Sequence, residues 1–257
     1  MNNISPIDGR YKENVSELEG YFSEQALMRY RILVEVEYLL SLVELKSFQK
    51  KRSLSKKTLS SLKSLYTEFS DKDFKQIKKI ESKTNHDVNA VVVFISEKLE
   101  KISRKDLIPL VHFGLTSEDI NNTAYSLMTK GATKNIMVPA IKNVLKELKK
   151  LARRTKSLPM LSLTHGQPAT TTTLGKELAV FISRIERELV LINEINLLAK
   201  FSGATGSYAA HKAAFPKANW SVFAKKFIKR LGLGQSPITS QIEPGDCLLY
   251  TSDAADE

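Results

Sequence analysis

The sequence predicts an all-α protein, an N-terminal helical domain followed by part of a long-helix bundle. Three observations carry this. Apolar residues recur mainly at three- and four-residue steps along most of the chain. Two apolar stripes, Ile136 to Leu151 and Leu174 to Ile192, run for several turns and stay narrow, as in an elongated bundle. Strand-like alternation is almost absent, and no internal repeat is visible.

The elements follow in order. Residues 1–20 read as irregular, with Pro6, Gly9 and Gly20 as breakers. A helix begins after Ser23, a suitable N-cap, and carries Ala26, Leu27, Tyr30, Leu33, Val34, Tyr38 and Leu42. A second starts near Ser53 or Ser55 with Leu59, Leu62, Leu65 and Phe69; Asp71 or Asp73 caps a third. Asn85-His-Asp87 interrupts the pattern before a fourth helix with Val88, Val91, Val92, Ile95 and Leu99. The polar junction at 103–106 suggests a boundary between domains 1–106 and 107–246. Beyond it a long helical region runs to about Lys156, and Pro139 either kinks it or starts a new helix. A short polar turn around His165 precedes the Leu174 stripe, with Thr170 to Thr173 available as caps. Residues 203–206 break the pattern, an amphipathic segment covers 220–231, and an extended piece covers 237–244.

Composition narrows the function classes. Hydrophobic content of 42% and charged content of 26% suit a globular domain. No apolar run approaches the roughly 18 residues of a membrane span. The first ten residues lack the apolar core of a signal peptide, and the single cysteine, Cys247, excludes an internal disulfide framework. These features favour a cytosolic location. The net charge of +11 is spread along the chain, apart from a basic run at 46–57, with no aromatic-interleaved basic block. It fits a solvated surface or an anionic small substrate better than a nucleic acid. Metal-ligand spacings, phosphate-loop and dinucleotide fingerprints and a serine elbow are all missing.

Polar clusters fall at the breaks between helices. In Asp8-Gly-Arg-Tyr11, Arg10 can grip a phosphate or carboxylate and Tyr11 adds a hydroxyl and an aromatic face; taken alone, an arm tied to the surface is the favoured explanation. In Thr84-Asn-His-Asp-Val88, Asn85, His86 and Asp87 offer donors and acceptors or a helix cap. In Thr116-Ser-Glu-Asp-Ile-Asn-Asn122, Thr116 or Ser117 caps a helix whose free N–H groups attract anions. Capping leaves Asn121 and Asn122 unexplained, because asparagine is a poor helix former. His165, on a Gly/Pro turn, is either a general acid or base or a hydrogen-bonded loop residue. Gln241-Ile-Glu-Pro244 repeats the amide-plus-carboxylate style on a segment that an ordinary loop also explains, and His112, between Val111 and Phe113, reads as packed.

These clusters, in this order, resemble the fumarase/aspartase superfamily and within it the adenylosuccinate lyases of bacterial type. The carrying motifs are Ser5-Pro-Ile-Asp-Gly-Arg-Tyr11, Thr84-Asn-His-Asp-Val88, Thr116-Ser-Glu-Asp-Ile-Asn-Asn122, Thr164-His-Gly-Gln-Pro-Ala-Thr170 and Gln241-Ile-Glu-Pro244, so the resemblance covers residues 1 to about 246. It implies β-elimination of fumarate from adenylosuccinate and from succinylaminoimidazole carboxamide ribotide, without metal or cofactor. It also implies a homotetramer whose active sites are shared between three subunits, with no nucleic-acid or membrane partner. By the same resemblance His165 is the general acid that protonates the leaving nitrogen and His86 stands beside the reacting end. Arg10, Tyr11, Asn85, Asp87 and Gln241 bind substrate, and Thr116 and Ser117 bind its succinyl carboxylate.

The chain departs from the family pattern in two ways. The mobile Gly-Ser-Ser loop that carries the family's basic serine is not found, and the family continues well past residue 257. After Asp246 the pattern is lost, and residues 247–257 look like the translation of a transposase-type sequencing adapter, expected to be non-native. The chain alone is therefore expected to be inactive, and to aggregate or be partly molten where its long stripes lack partners. Three alternatives compete with this reading. An argininosuccinate lyase is disfavoured by the Asp-Gly-Arg-Tyr arm and Thr-His-Gly-Gln; a non-catalytic helical scaffold is disfavoured by intact Arg10, His86, Ser117 and His165. A basic helical nucleic-acid binder would show a steep salt dependence.

Overall fold

A computed structural model describes residues 5–45, 54–243 and 245. Ser53, Pro244, the core of the 46–57 basic run and the 247–257 tail with Cys247 lie outside the described residues. The fold is helical as expected, with two small two-stranded sheets among the described residues. Two compact units are present, Met1–Lys130 with Asn196–Glu257, and Gly131–Ile195.

The first unit opens with a turn, a 3-10 helix at Glu13–Leu18 and the single-turn α1 at Glu19–Phe22, where the sequence suggested irregular chain. Helix α2, Glu24–Val43, starts at Ser23, whose Oγ accepts from Ala26 N at 3.1 Å. Its burial is not confined to one stripe: Met28, Ile32, Val34, Val36, Tyr38, Leu39 and Leu42 are all buried, so other elements surround it. Helix α3, Lys56–Thr67, is capped by Ser55. Helix α4, Asp71–Thr84, is capped by Ser70 rather than by an aspartate. Ser70 Oγ accepts from Asp73 N while Asp73 reaches back to Ser70 N, a reciprocal box in which Asp73 is the third helical residue. Helix α5, Asp87–Lys101, buries Val88, Val91, Phe94, Ile95 and Leu99. After a 3-10 helix at Lys105–Leu110, helix α6 spans Ser117–Ala132.

The chain returns to this unit at Asn196. Strands β3 (Leu198–Ala199) and β4 (Gly234–Gln235) pair in parallel, flanking the short α9 (Ala209–Ala214) and the expected amphipathic α10 (Trp220–Arg230). The intervening α7 (Val138–Arg154), β1 (Pro159–Thr164), β2 (Gln167–Thr173) and α8 (Leu174–Glu194) belong to the second unit. Side chains of α6 hold this return in place. Ser126 Oγ donates to Leu198 O at 2.6 Å, and Asn122 exchanges two bonds with the Lys200 backbone. Residues 237–243 are a bent, irregular run rather than an extended piece. Gly206 is needed there: its φ is +74°, and a Cβ would meet Thr239 O at 1.9 Å.

In the second unit a π-turn at Thr133–Met137 leads into α7, Val138–Arg154, with Pro139 in its first turn as a helix start allows. Helix α8, Leu174–Glu194, packs on α7 through Val138, Leu145, Ile182 and Leu189. The connection corrects the expected polar turn. Strands β1, Pro159–Thr164, and β2, Gln167–Thr173, form an antiparallel hairpin with a bulge between Leu161 and Leu163. The threonine run supplies β-branched residues suited to a strand, and only Thr173 caps α8. His165 (φ +51°) and Gly166 (φ +73°) are the two tip residues, the positive-φ pair of a tight hairpin turn.

Candidate functional site

The site in the first unit begins at the α4–α5 junction. Asn85 ends α4 in the left-handed conformation, φ +50°, its N–H bonded to Glu81 O. That reversal lets His86 stand as the N-cap of α5, its Nδ1 accepting from Asn89 N at 3.1 Å. A nitrogen that accepts carries no proton, so the neutral ring has its proton on Nε2. Nε2 lies 3.5 Å from Ser117 Oγ at the first residue of α6. The sequence left Asn85 and Asp87 as alternative caps; the histidine itself does the capping. Asp87 instead accepts from Val88 N at 2.8 Å and pairs with the buried Arg31 at 2.6 Å. Burial pulls the Asp87 carboxyl upward, but the Arg31 charge, the Val88 N–H and His86 outweigh it and hold the group below its ordinary range. A cleft of about 560 Å³ opens beside the junction, lined by Lys78, Glu81, Ser82, Asn85, His86 and Asp87.

The start of α6 is built from below. Asp119 is fully buried and pairs with the equally buried Lys200 ammonium at 2.8 Å. Its carboxylate also accepts from Thr116 N, Ser202 N and Gly203 N at 2.9 to 3.1 Å. One side chain thus ties the helix start to the returning 200–203 turn. The asparagines that capping left unexplained have partners: Asn121 accepts from Arg31 Nε at 2.9 Å, and Asn122 joins the Lys200 backbone. Burial raises the Glu118 carboxyl; Lys200 opposes this, while Asp119 and Glu243 add to it. Glu243 shares the 239–243 segment with Gln241, and that segment touches the 202–206 turn through Thr239. Gln241 is itself exposed.

The sequence did not reveal the partners of two further histidines, half-buried His112 and buried His211. His112, expected to be merely packed, adopts φ +56° and places Nδ1 2.6 Å from Glu35 Oε1, with its N–H on Glu35 Oε2. Burial alone would lower its pKa, but Glu35 and then Asp119 raise it. His211 is buried against Trp220, with 4.7 Å between ring centroids. Tyr38 donates its only hydroxyl hydrogen to Phe113 O, so His211 Nε2, 2.9 Å from the same oxygen, must be the donor there. Nδ1 has no partner among the described residues, and burial pushes the imidazole down to about 4. A signal for Lys200 was available, a lone cation in an apolar run; the partners of Lys200 and Arg31 lie too far along the chain to read.

Of the other predicted residues, Arg10 and Tyr11 share no hydrogen bond with these groups among the described residues. Arg10 lies over the Tyr11 ring at 5.6 Å, and among the described residues the contacts of both stay in their own turn. His165 belongs to the second unit, exposed at the hairpin tip in a conformation rare for a residue with a side chain. Such strain at an exposed imidazole is the kind of outlier from which a functional hypothesis starts. No cluster of potential metal ligands occurs among the described residues, and no described helix is long and apolar enough to cross a membrane.

Several known proteins are similar to this chain. Adenylosuccinate lyase of Buchnera aphidicola subsp. Acyrthosiphon pisum is 42% identical over 246 residues, covering 95% of this chain and 54% of that protein. The Escherichia coli K12 adenylosuccinate lyase is 40% identical over 244 residues, covering 95% and 54%. The Dictyostelium discoideum adenylosuccinate lyase is 42% identical over 258 residues, covering 98% and 55%. The chain thus spans about half the length of the curated relatives it matches. Among solved structures, a fumarate lyase from Mesorhizobium sp. BNC1 has the same fold, with a TM-score of 0.73 at 22% identity over 93% of this chain and 52% of that one. A β-carboxy-cis,cis-muconate cycloisomerase from Acinetobacter calcoaceticus sp. ADP1 matches at a TM-score of 0.68 and 23% identity, over 87% and 50%. The family described as Lyase matches residues 9–257, and the chain belongs to that family.

Proposed function

We propose that this chain carries the His86, Ser117 and His165 portions of an adenylosuccinate lyase, a carbon–nitrogen lyase of purine nucleotide synthesis. The observation that carries the reading is the approach of His86 Nε2 to Ser117 Oγ at the start of α6. A dicarboxylate end bound there meets helix N–H groups, a hydroxyl and an imidazole proton donor. Removal of the proton next to a carboxylate builds negative charge on that end, which these donors stabilise. The carbon–nitrogen bond then breaks, fumarate leaves, and the nitrogen takes a proton from His165. The products are AMP from adenylosuccinate and the aminoimidazole carboxamide ribotide from its succinyl precursor. Arg10, Tyr11, Asn85, Asp87, Thr116 and Gln241 complete the substrate contacts.

In this reading the base is a serine on a loop outside the chain, and the whole enzyme is a cytoplasmic homotetramer with active sites shared between subunits. The division into domains 1–106 and 107–246 belongs to the same proposal. The test is a substrate panel on the protein expressed from its complete gene. Fumarate release from adenylosuccinate but not from argininosuccinate is expected; the reverse preference would overturn the assignment.

A further inference from the structure

We propose that Arg31 is a positioning residue that holds the His86 cap against the start of α6, acting through Asp87 and Asn121. Arg31 is 3% exposed and sits in the apolar run of α2. Its guanidinium uses two different nitrogens: Nη2 meets Asp87 Oδ2 at 2.6 Å, and Nε donates to Asn121 Oδ1 at 2.9 Å. The third direction is filled by Met28 Sδ at 3.8 Å from Nη1.

Each partner is one step from the candidate chemistry. Asp87 follows His86 and is the first residue of α5. Asn121 lies four residues after Ser117, and therefore on the same face of α6 one turn further in. A planar guanidinium sets the angle as well as the distance between two acceptors, which an ammonium cannot do. Burying a cation in a core is costly unless it is paired. Here the partners are the residue after His86 and the residue one helical turn after Ser117, whose side chains approach each other at 3.5 Å. The asparagine at an unfavourable helical position thereby gains a purpose.

The inference rests on the proposed lyase reading for its functional meaning, but its geometry is testable without turnover. Amide hydrogen exchange is followed on this chain in segments 86–90, 117–121 and 32–42. Arg31→Met is expected to speed exchange at least about tenfold in the first two segments and to leave the third unchanged. Arg31→Lys, whose ammonium lacks the fixed angle between two donors, is expected to fall between. If Arg31→Met does not fold, Asn121→Ala carries the test, with faster exchange expected in 117–121 and 86–90 together.

In the protein from the complete gene, Arg31→Lys is expected to lower kcat with little change in KM, since a displacement near 1 Å is worth about 100-fold. Unchanged exchange at 86–90 and 117–121, or faster exchange spread equally over 32–42, would overturn the positioning role, as would wild-type kcat in the lysine form. Loss of the two segments' protection in an enzyme that never releases fumarate would refute the lyase reading alone.

Discussion

His86 Nε2 and Ser117 Oγ stand 3.5 Å apart although the residues are 31 positions apart in sequence. His86 is also the N-cap of α5. In the proposed function, stability and chemistry therefore share one side chain and can be separated. His86→Ala is expected to cost about 1 kcal/mol by removing the cap, and His86→Asn to recover most of it. Neither is expected to restore turnover in the complete enzyme. Denaturation followed by the fluorescence of Trp220, the single tryptophan, reads the first effect; fumarate release reads the second. Full activity in the asparagine form would remove His86 from the chemistry.

Half-buried His112 and buried His211 give stability opposite slopes in pH. His211 titrates at about 4 in the fold and near 6.5 when unfolded, so the unfolded state binds the extra proton between these values. Stability is expected to fall by about 3 kcal/mol as pH drops through that window. His112 is raised, so its contribution is full below about 6.5 and is lost as pH rises through its folded pKa. A maximum near neutrality is expected for the first unit. His211→Phe should flatten the acid limb only, and a profile unchanged by that substitution would contradict the assignment.

The Lys200–Asp119 pair is fully buried, so removing one member strands the other. Lys200→Met is expected to cost about 4 kcal/mol, and the double replacement Lys200→Met with Asp119→Leu less than the sum of the single ones. Denaturant midpoints of the single and double variants measure the coupling. Additive losses would mean the pair is not an anchor.

The second unit is expected to be the weak part of this chain. Its core is a few side chains deep, while Val144, Phe181, Val190 and Leu191 are each more than half exposed. Amides of 138–194 are expected to exchange faster than those of 32–42, with dye binding to the exposed apolar surface. Equal protection in both segments would contradict this.

What could be read from the sequence was local. Ser23 and Ser55 announce α2 and α3 because a cap acts over three residues, and Pro139 announces α7 because proline suits a first turn. The polar breaks were legible as positions, and Asn121 and Asn122 were legible as anomalies. Their partners, Arg31 and Lys200, lie 90 and 78 residues away, beyond any periodicity. The hairpin was missed because a threonine run suits a cap as well as a strand. Pairing with residues 159–164 decided for the strand.

The most direct test of the central claim is fumarate release from adenylosuccinate by the protein expressed from its complete gene, compared with its His165→Ala form and with the 257-residue chain alone. The complete protein is expected to turn over, the His165→Ala form to lose about 100-fold or more in kcat, and the 257-residue chain to be silent. Turnover near the wild-type rate without the imidazole of His165 would contradict the account.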